Sequence, residues 1–500
     1  MATLMRVVSL AVVLAVLLGA SGVRAEAGQD RFGAGGYFRV MTRPDFQGGD
    51  SRLGYWNLYG RLLNEGPWAA LELRLDMLPP EAGTMRPWTS IHAKIEGGSV
   101  GNAHAALGRL DNFYLTQLYA EAGNVLLDAV TWRIGTLDTY FGDLGLYDMR
   151  PAQLFFETMG VSALYRLNRF ELMVGAGDSG YFVRRDEYNT IFTVGSYFRV
   201  RPLDQVEVGL GGQLLYEPEV IGNRFAPHAT PGIRYEDLAR QEVVERFLEE
   251  NPGREDNFTN PVSSSSASWK VVGYLGFGQV GPLRWNNLFL NVQLAHPDNF
   301  YVESFMGRDY AIYTHDLTDE RYSVTIGDEA QLVLVPGLLD AAVAGLFGQR
   351  WDRDNEVSPG DFSQTYYSAV VRLQLYLTET LHLLAETSLA REVSSNGNRY
   401  RAHADSVFQN DGGVSDTRGL EFGDLETRNT WQGKLGFVLN PTGTGIFSRP
   451  SLRLLYGVQR SNQNNAFGNS FVTTLDEFND FGSPEQHWHH LVALEAEAWF

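Results

Sequence analysis

The sequence contains no cysteine and almost no lysine. Without cysteine, disulfide scaffolds, thiolate metal sites and cysteine nucleophiles are excluded. Arginine supplies all but three of the 40 basic residues, and the 60 acidic residues outnumber them. This acidic balance argues against a nucleic-acid partner, because attraction to phosphate needs a basic face. Beyond residue 25, no stretch approaches the roughly 18 consecutive apolar residues that a membrane-spanning helix needs.

The first 25 residues have the pattern of a secretory signal peptide. Arg6 precedes an apolar run over residues 7–20, and Val23-Arg24-Ala25 is a small-x-small cleavage pattern. We therefore expect a signal peptide at residues 1–25, a single domain at residues 26–500, and export from the cytosol.

Aromatic residues make up 12% of the chain, and its 53 glycines exceed the usual share of about 7%. Such a composition in short alternating segments favours an all-β fold. Residues 488–500 alternate with period two, placing Val492 and Leu494 on one face and Glu495 and Glu497 on the other. A strand of this kind with a terminal aromatic is typical of an outer-membrane β-barrel, whose apolar side chains face lipid and whose polar ones face the lumen.

Short and long connections alternate along the chain, as they do in bacterial barrels with short periplasmic turns and long extracellular loops. The short ones are Asn64-Glu65-Gly66-Pro67, Asn168-Arg169, Arg201-Pro202-Leu203-Asp204, Gly281-Pro282 and Pro336-Gly337. The long ones cover residues 218–268, 296–328, 392–427 and 461–487. Strands of roughly ten residues then number about eighteen, with sixteen as the main alternative. A barrel of this size encloses an aqueous channel.

No catalytic signature is present. The chain has no G-x-S-x-G elbow, no H-E-x-x-H helix and no phosphate-binding glycine loop. His487, His489 and His490 surround Trp488 and fit a membrane–water rim better than a metal site. We predict no enzyme activity, no cofactor and no metal, with a barrel-embedded hydrolase as a weaker alternative.

The first strands combine aromatic and charged side chains on one face. Strand one, at residues 36–43, places Tyr37 and Arg39 there. Strand two places Tyr59 and Arg61 there. Strand three has a polar face opposite an apolar one, with these members: Trp68, Glu72, Arg74 and Asp76 opposite Leu71, Leu73 and Leu75. Sugar rings pack on aromatics and their hydroxyls exchange hydrogen bonds with charged groups. A lumen of this kind suits a neutral, polyhydroxylated solute, held weakly so that it can also leave.

Residues 136–160 mix apolar and charged side chains, whereas an exposed loop should be more polar. We expect this loop to fold into the pore and set the constriction. Its wall-facing residues would be Phe141, Leu144, Leu146 and Phe155, and its water-facing residues Asp143, Asp148 and Arg150.

Three places in the chain resemble the maltoporin family, the sugar-specific porins of the outer membrane. They are Gly36-Tyr37-Phe38-Arg39 with Arg52-Leu53-Gly54 and Tyr59; the loop spacing of Gly135, Asp143 and Asp148; and Ser448-Arg449-Pro450-Ser451-Leu452-Arg453 with the final Trp499-Phe500. The resemblance implies an eighteen-stranded barrel, a homotrimer in the cell outer membrane, and passive sugar uptake along an aromatic rail flanked by polar tracks.

The resemblance also implies roles for individual residues. Tyr37, Tyr59 and Trp499 correspond to rail aromatics, with Trp499 at the periplasmic end. The polar tracks and the constriction correspond to Arg39, Arg52, Asp143 and Asp148.

The chain also departs from the family. Arg150 stands where the constriction has a tyrosine, and Arg61 stands where the family has a glutamate. A rail tryptophan is missing near Ser461, and the first-loop disulfide cannot form. Two additional arginines would make the constriction more cationic, which adds acidic sugars and other small anions to the solutes that such a pore could pass. A general or anion-selective diffusion porin is therefore the main alternative to a carbohydrate porin.

Overall fold

The structure of the chain is a computed structural model. It describes twelve ranges, namely residues 31–42, 57–80, 86–98, 113–179, 190–218, 265–295, 300–305, 308–313, 321–352, 364–394, 427–462 and 488–500. The predicted signal peptide and the predicted site residue Arg52 lie outside these ranges.

The described residues form 22 strands, most of them alternating apolar and polar side chains. The strands are β1 (Phe32–Thr42), β2 (Trp68–Leu78), β3 (Trp88–Gly98), β4 (Tyr114–Gly123), β5 (Val130–Thr136), β6 (Thr139–Tyr140), β7 (Gln153–Leu154), β8 (Met159–Leu167), β9 (Phe170–Asp178), β10 (Phe192–Leu203), β11 (Val206–Glu217), β12 (Ser266–Val280), β13 (Leu283–Ala295), β14 (Phe300–Phe305), β15 (Arg308–Tyr313), β16 (Arg321–Val335), β17 (Leu339–Asp352), β18 (Gln364–Tyr376), β19 (Leu381–Ser394), β20 (Thr427–Leu439), β21 (Ser451–Ser461) and β22 (Trp488–Trp499). One 3₁₀ turn covers Asn57–Tyr59.

Eighteen of these strands form one closed antiparallel barrel. Each barrel strand pairs with the next one along the chain, and β1 closes the ring by pairing with β22, where Tyr37 lies opposite Trp499 and Thr42 opposite Leu494. The remaining four strands form two small hairpins, β6–β7 and β14–β15. The predicted all-β barrel and its count of eighteen strands are confirmed. No helix in the described part of the chain is long and apolar enough to cross a membrane.

Side chains alternate between the lumen and an apolar outer face. In β21, Leu452, Leu454 and Tyr456 are exposed on the outer face, while Arg453 and Leu455 point inward and are buried. In β2, Leu75 is exposed on the outer face and Arg74 points into the lumen, as the sequence predicted for strand three. The alternation follows from the strand period of two.

The two rims of the barrel differ as the sequence predicted. Tight turns at Asn168-Arg169, Gly281-Pro282 and Pro336-Gly337 join strands at one rim, which we call the short-turn rim. The turn predicted at residues 201–204 is displaced, because β10 continues to Leu203. The opposite rim, the long-loop rim, carries the long connections between β11 and β12 and between β19 and β20.

The second predicted strand is wrong. Residues 57–59 form the 3₁₀ turn, and residues 60–67 continue without strand structure before β2 begins at Trp68. Gly60 has a left-handed φ of 81°, which breaks an extended run. Leu58, Tyr59 and Leu62 are buried because this segment packs inside the barrel, and not because it is a strand of the wall. The predicted tight turn at residues 64–67 is wrong for the same reason, because it is the end of this segment.

Candidate pore constriction

Among the described residues, three segments between barrel strands enter the lumen. Insert A comprises residues 57–67, between β1 and β2. Insert B comprises residues 137–158, between β5 and β8. Insert C comprises residues 440–450, between β20 and β21 at the short-turn rim. Side chains from inserts A, B and C belong to the buried apolar cluster inside the barrel, for example Leu58, Leu144 and Ile446.

Insert B is the loop predicted to fold into the pore. Its four predicted wall-facing side chains are all buried: Phe141, Leu144, Leu146 and Phe155. Asp143, Asp148 and Arg150 are exposed on its other side. The expectation that this loop folds into the pore, packed on its apolar side, is confirmed.

Glycines in the wall make room for insert B. A Cβ atom at Gly211 or Gly327 would lie 2.5 Å from a methyl carbon of Leu154 or Leu144, respectively. A Cβ atom at Gly209 would overlap the Phe141 ring. The insert thus lies against the backbone of β11 and β16, closer than any side chain on these positions allows.

Buried polar contacts fix inserts A and B to the barrel wall. The Lys434 ammonium donates to the backbone carbonyl of Tyr59 at 3.1 Å and pairs with Glu386 at 2.8 Å. In insert B, the backbone N–H groups of Gly145 and Leu146 donate to the Glu329 carboxylate at 3.1 and 2.7 Å. Such charge-assisted bonds satisfy polar groups that would be costly to bury alone.

The three inserts contact one another in the middle of the barrel. The Arg61 backbone N–H donates to the Leu146 carbonyl at 2.8 Å, which joins insert A to insert B. From insert C, the Phe447 ring lies against Gly145, where an added Cβ atom would be 3.0 Å from the ring. The inserts therefore support each other, and moving one of them disturbs the other two.

Four arginines and Tyr37 surround a buried carboxylate where β22 meets β1. Glu497 pairs with Arg61 at 2.5 Å, and with Arg449 and Arg453 at 2.6 Å each. It also accepts a 2.9 Å hydrogen bond from the Tyr37 hydroxyl, which in turn accepts one from Arg39. Glu497 is almost fully buried, and these positive charges compensate its negative charge. Burial, together with repulsion from Arg453, holds the pKa of Arg449 well below its usual range.

A carboxyl pair links inserts A and B. Burial raises the pKa of Glu65 to about 8, against the opposing charge of Arg39, which contacts it directly. Burial alone would also raise the pKa of Asp148, but Arg61, Arg39 and a hydrogen bond from Glu65 outweigh it and lower that pKa. At neutral pH the pair therefore holds one proton, on Glu65, which donates to the Asp148 carboxylate.

The surface of insert B that faces the open lumen carries charge of both signs. The Arg150 guanidinium lies 4.2 Å from the Tyr140 ring centroid, in a cation–π contact. Burial raises the pKa of Asp143 and of Asp138, and the positive charge of Arg150 opposes both shifts. Arg150 is thus an exposed cation between two acidic side chains.

The lumen face of β3, β4 and β5 carries a cluster that the sequence reasoning missed. The Tyr119 ring stacks on His92 at 4.7 Å on one face, and Arg133 lies 4.2 Å from its centroid. Arg133 also donates to Glu121 at 2.8 Å. The lumen-facing alternation of β3, β4 and β5 was the available signal, since it places these four residues on one side of three paired strands.

The predicted site residues divide by exposure. Trp499 is 66% exposed on the lumen face and packs edge-on against Tyr37 at 5.8 Å. Tyr59 is fully buried, and its hydroxyl donates to Glu392 at 2.5 Å. Arg39 and Arg61 are almost completely buried in ion pairs. The predicted substrate contacts of all these residues remain predictions.

Of the three histidines near Trp488, the structure describes the side chain of His490. His490 lies on the outer face, where it bonds the Tyr456 hydroxyl at 2.7 Å. In the described ranges, no group of three or more His, Cys, Asp or Glu side chains is arranged to hold a metal ion.

No protein-family model and no curated protein sequence matches the chain. Several solved structures are similar over nearly the whole chain. The high-pH structure of Pseudomonas putida OprB has a TM-score of 0.42 at 11% identity, and the match covers 96% of this chain and 97% of the OprB chain. Pseudomonas aeruginosa OpdK with vanillate has a TM-score of 0.39 at 11% identity, with 94% and 98% covered. The outer membrane channel DcaP of Acinetobacter baumannii has a TM-score of 0.37 at 10% identity, with 96% and 99% covered.

Proposed function

We propose that the chain is an outer-membrane channel for passive diffusion of small polar solutes, with a preference for carbohydrates like that of the maltoporin family. The observation that carries the proposal is the closed barrel with an apolar outer face, a charged lumen and an insert that narrows it. An apolar outer face suits lipid, and a ring of eighteen strands is too wide for side chains alone to fill.

Charge pairing in the lumen favours neutral solutes over anions. Arg61, one of the two additional arginines, is paired with Glu497 and shielded by burial. Arg150 remains exposed but lies beside Asp143 and Asp138. A solute passing insert B therefore meets balanced charges, which exchange hydrogen bonds with hydroxyl groups and give little net attraction to an anion.

Planar-bilayer recording tests the function. A carbohydrate channel should conduct ions, and added oligosaccharides should block the current in a concentration-dependent way. Ohmic current that no neutral sugar blocks would favour the alternative, a general diffusion porin, and block by acidic sugars alone would favour an anion-selective one. Hydrolysis of ester or peptide substrates, abolished by one lumen-facing Ser or His substitution, would favour the hydrolase alternative.

Trp499 is exposed on the lumen face near the short-turn rim, where a solute can contact it. We expect Trp499→Ala to weaken oligosaccharide block by a factor of about 2 to 13, since one aromatic contact contributes about 0.5–1.5 kcal/mol. Trp488→Ala is the matched control, because Trp488 is exposed on the outer face. Equal block constants for wild type and Trp499→Ala would remove Trp499 from the binding path.

We also propose a homotrimer, as in the maltoporin family. Strand β5 has only 7 residues and its neighbours β8 and β9 have 9 each, whereas β12 and β16 have 15. A tilted strand needs about 9–11 residues to cross a bilayer. The wall formed by the short strands β5, β8 and β9 is therefore better covered by a neighbouring subunit than by lipid.

A further inference from the structure

A groove of about 570 Å³ lies on the outer face of the barrel, across β18 to β21. It is near the long-loop rim, because its residues lie near the starts of β18 and β20 and near the ends of β19 and β21. The outward-facing side chains that line it are Tyr367, Leu389, Arg391, Asn429, Trp431, Arg460 and Asn462. None of these residues belongs to the lumen or to inserts A, B and C.

Two exposed guanidinium groups flank this groove. In strand register, Arg391 of β19 lies opposite Asn429 of β20, and Arg460 of β21 lies opposite Trp431 of β20. The arginines thus stand two strands apart and two residues apart along the strands, or about 12 Å between backbones at the usual spacings. Neither guanidinium forms an ion pair with a carboxylate in the described part of the chain, although Arg460 lies 5.5 Å from the Trp488 ring centroid.

The floor of the groove is preorganised. The Asn462 amide oxygen accepts from the Asn429 backbone N–H at 2.6 Å, and the Asn462 amide donates to the Thr427 carbonyl at 3.0 Å. The Trp431 indole N–H donates to the Thr387 hydroxyl at 3.0 Å. The ring lies over Gly433, where an added Cβ atom would be 2.9 Å away.

Below the arginines the outer face becomes apolar. Leu389, Leu435 and Leu454 are each more than half exposed there, and Phe437 extends the strip toward the short-turn rim. A ligand that fits this surface is anionic at one end and apolar along the rest. Unpaired arginines on a lipid-facing wall are costly unless an anionic group meets them at the interface.

We infer that this groove binds a phosphorylated lipid of the surrounding leaflet, with its phosphate between Arg391 and Arg460 and its acyl chains along the apolar strip. The inference rests on the proposed membrane location of the barrel. A guanidinium group can donate two parallel hydrogen bonds to two oxygens of one phosphate. The Trp431 ring, between the arginines and the apolar strip, suits the boundary between headgroup and acyl chain.

The test is native mass spectrometry of the full chain in detergent, titrated with bisphosphorylated lipid A, the same lipid without its phosphates, or inorganic phosphate. We expect saturable binding of the first only. Arg391→Gln and Arg460→Gln should each weaken it about fivefold, since one basic residue near a lipid surface contributes that much. Arg284→Gln is the matched control, because Arg284 is exposed near the short-turn rim.

Several results would overturn the inference. The first is equal binding of the lipid without phosphates, and the second is competition by inorganic phosphate at the concentrations used for the lipid. The third is unchanged lipid binding when Arg391→Gln and Arg460→Gln are combined. The last is that the variants lose the oligomer but still bind the lipid. The last result would make the groove a contact between subunits. Conductance and sugar block, recorded on the same variants, should stay at wild-type values, so that failure of the channel function and failure of the lipid site are read separately.

Discussion

The effect of an arginine on ions in a pore depends on how exposed the guanidinium is and on how closely a carboxylate pairs with it. Arg61 and Arg150 look equivalent in the sequence as departures from the maltoporin pattern. In the folded chain Arg61 is buried against Glu497, whereas Arg150 remains exposed over Tyr140. The two residues therefore have different expected effects on ion selectivity.

Arg150→Gln should shift selectivity toward cations. The substitution removes a positive charge from a narrow region where screening by salt is weak, and leaves Asp143 and Asp138 without their neighbour. The measurement is the reversal potential in a potassium chloride gradient. Arg169→Gln is the control, since Arg169 lies in a short turn and pairs with Asp204. An unchanged potential would mean that Arg150 lies off the conduction path.

Glu65 should make the channel sensitive to pH. With its pKa raised to about 8, Glu65 is neutral at pH 6 and ionised at pH 9, so cation preference should increase across this range. Because this pKa lies above the ordinary value of 4.5, protonated Glu65 contributes to the stability of the fold fully below about pH 4.5, and that contribution is lost as the pH rises to about 8. In Glu65→Gln the change in reversal potential between pH 6 and pH 9 should be smaller than in the wild type.

Glu72→Gln serves as the control for this experiment. Glu72 also faces the lumen but is 66% exposed, and its substitution leaves the Glu65–Asp148 pair in place. The pH dependence should persist in this variant. A pH response in Glu65→Gln equal to that of wild type would assign the titration to another group.

At the scale of elements, inserts A and B narrow the lumen because each has an apolar side that the barrel wall buries. The sequence revealed insert B, since its mixture of Phe, Leu and Asp suits neither an exposed loop nor a strand. Insert A was misread as a strand, because Leu58 and Leu62 alternate with polar residues in the same way that strand residues do. Only its contacts with β18, β19 and β20 distinguish the two structures.

Gly209→Ala should loosen insert B. The added methyl group overlaps the Phe141 ring, and overpacking of this kind costs about 1–3 kcal/mol. We expect noisier single-channel current with higher mean conductance. Gly273→Ala is the matched control, because the nearest atom to its Cβ would be 3.7 Å away. Quiet, wild-type conductance in Gly209→Ala would show that Phe141 does not anchor the insert.

At the scale of the whole molecule, β1 must pair with β22, the first described strand with the last, and this pairing completes the ring. We expect the purified chain to need detergent to stay in solution and to give a β-type circular dichroism spectrum. Native mass spectrometry should give the mass of a trimer. A water-soluble, helix-rich product would contradict the barrel. A detergent-stable monomer would contradict only the trimer.

The sequence by itself determined the barrel, because a period of two and the alternation of short and long connections are local properties of the chain. It also determined which side of insert B meets water. Only the tertiary structure decided which charges remain free, because ion pairs such as Arg61 with Glu497 join residues far apart in sequence. It likewise decided that Tyr59 is buried, since burial depends on the segment and the wall that meet in the lumen.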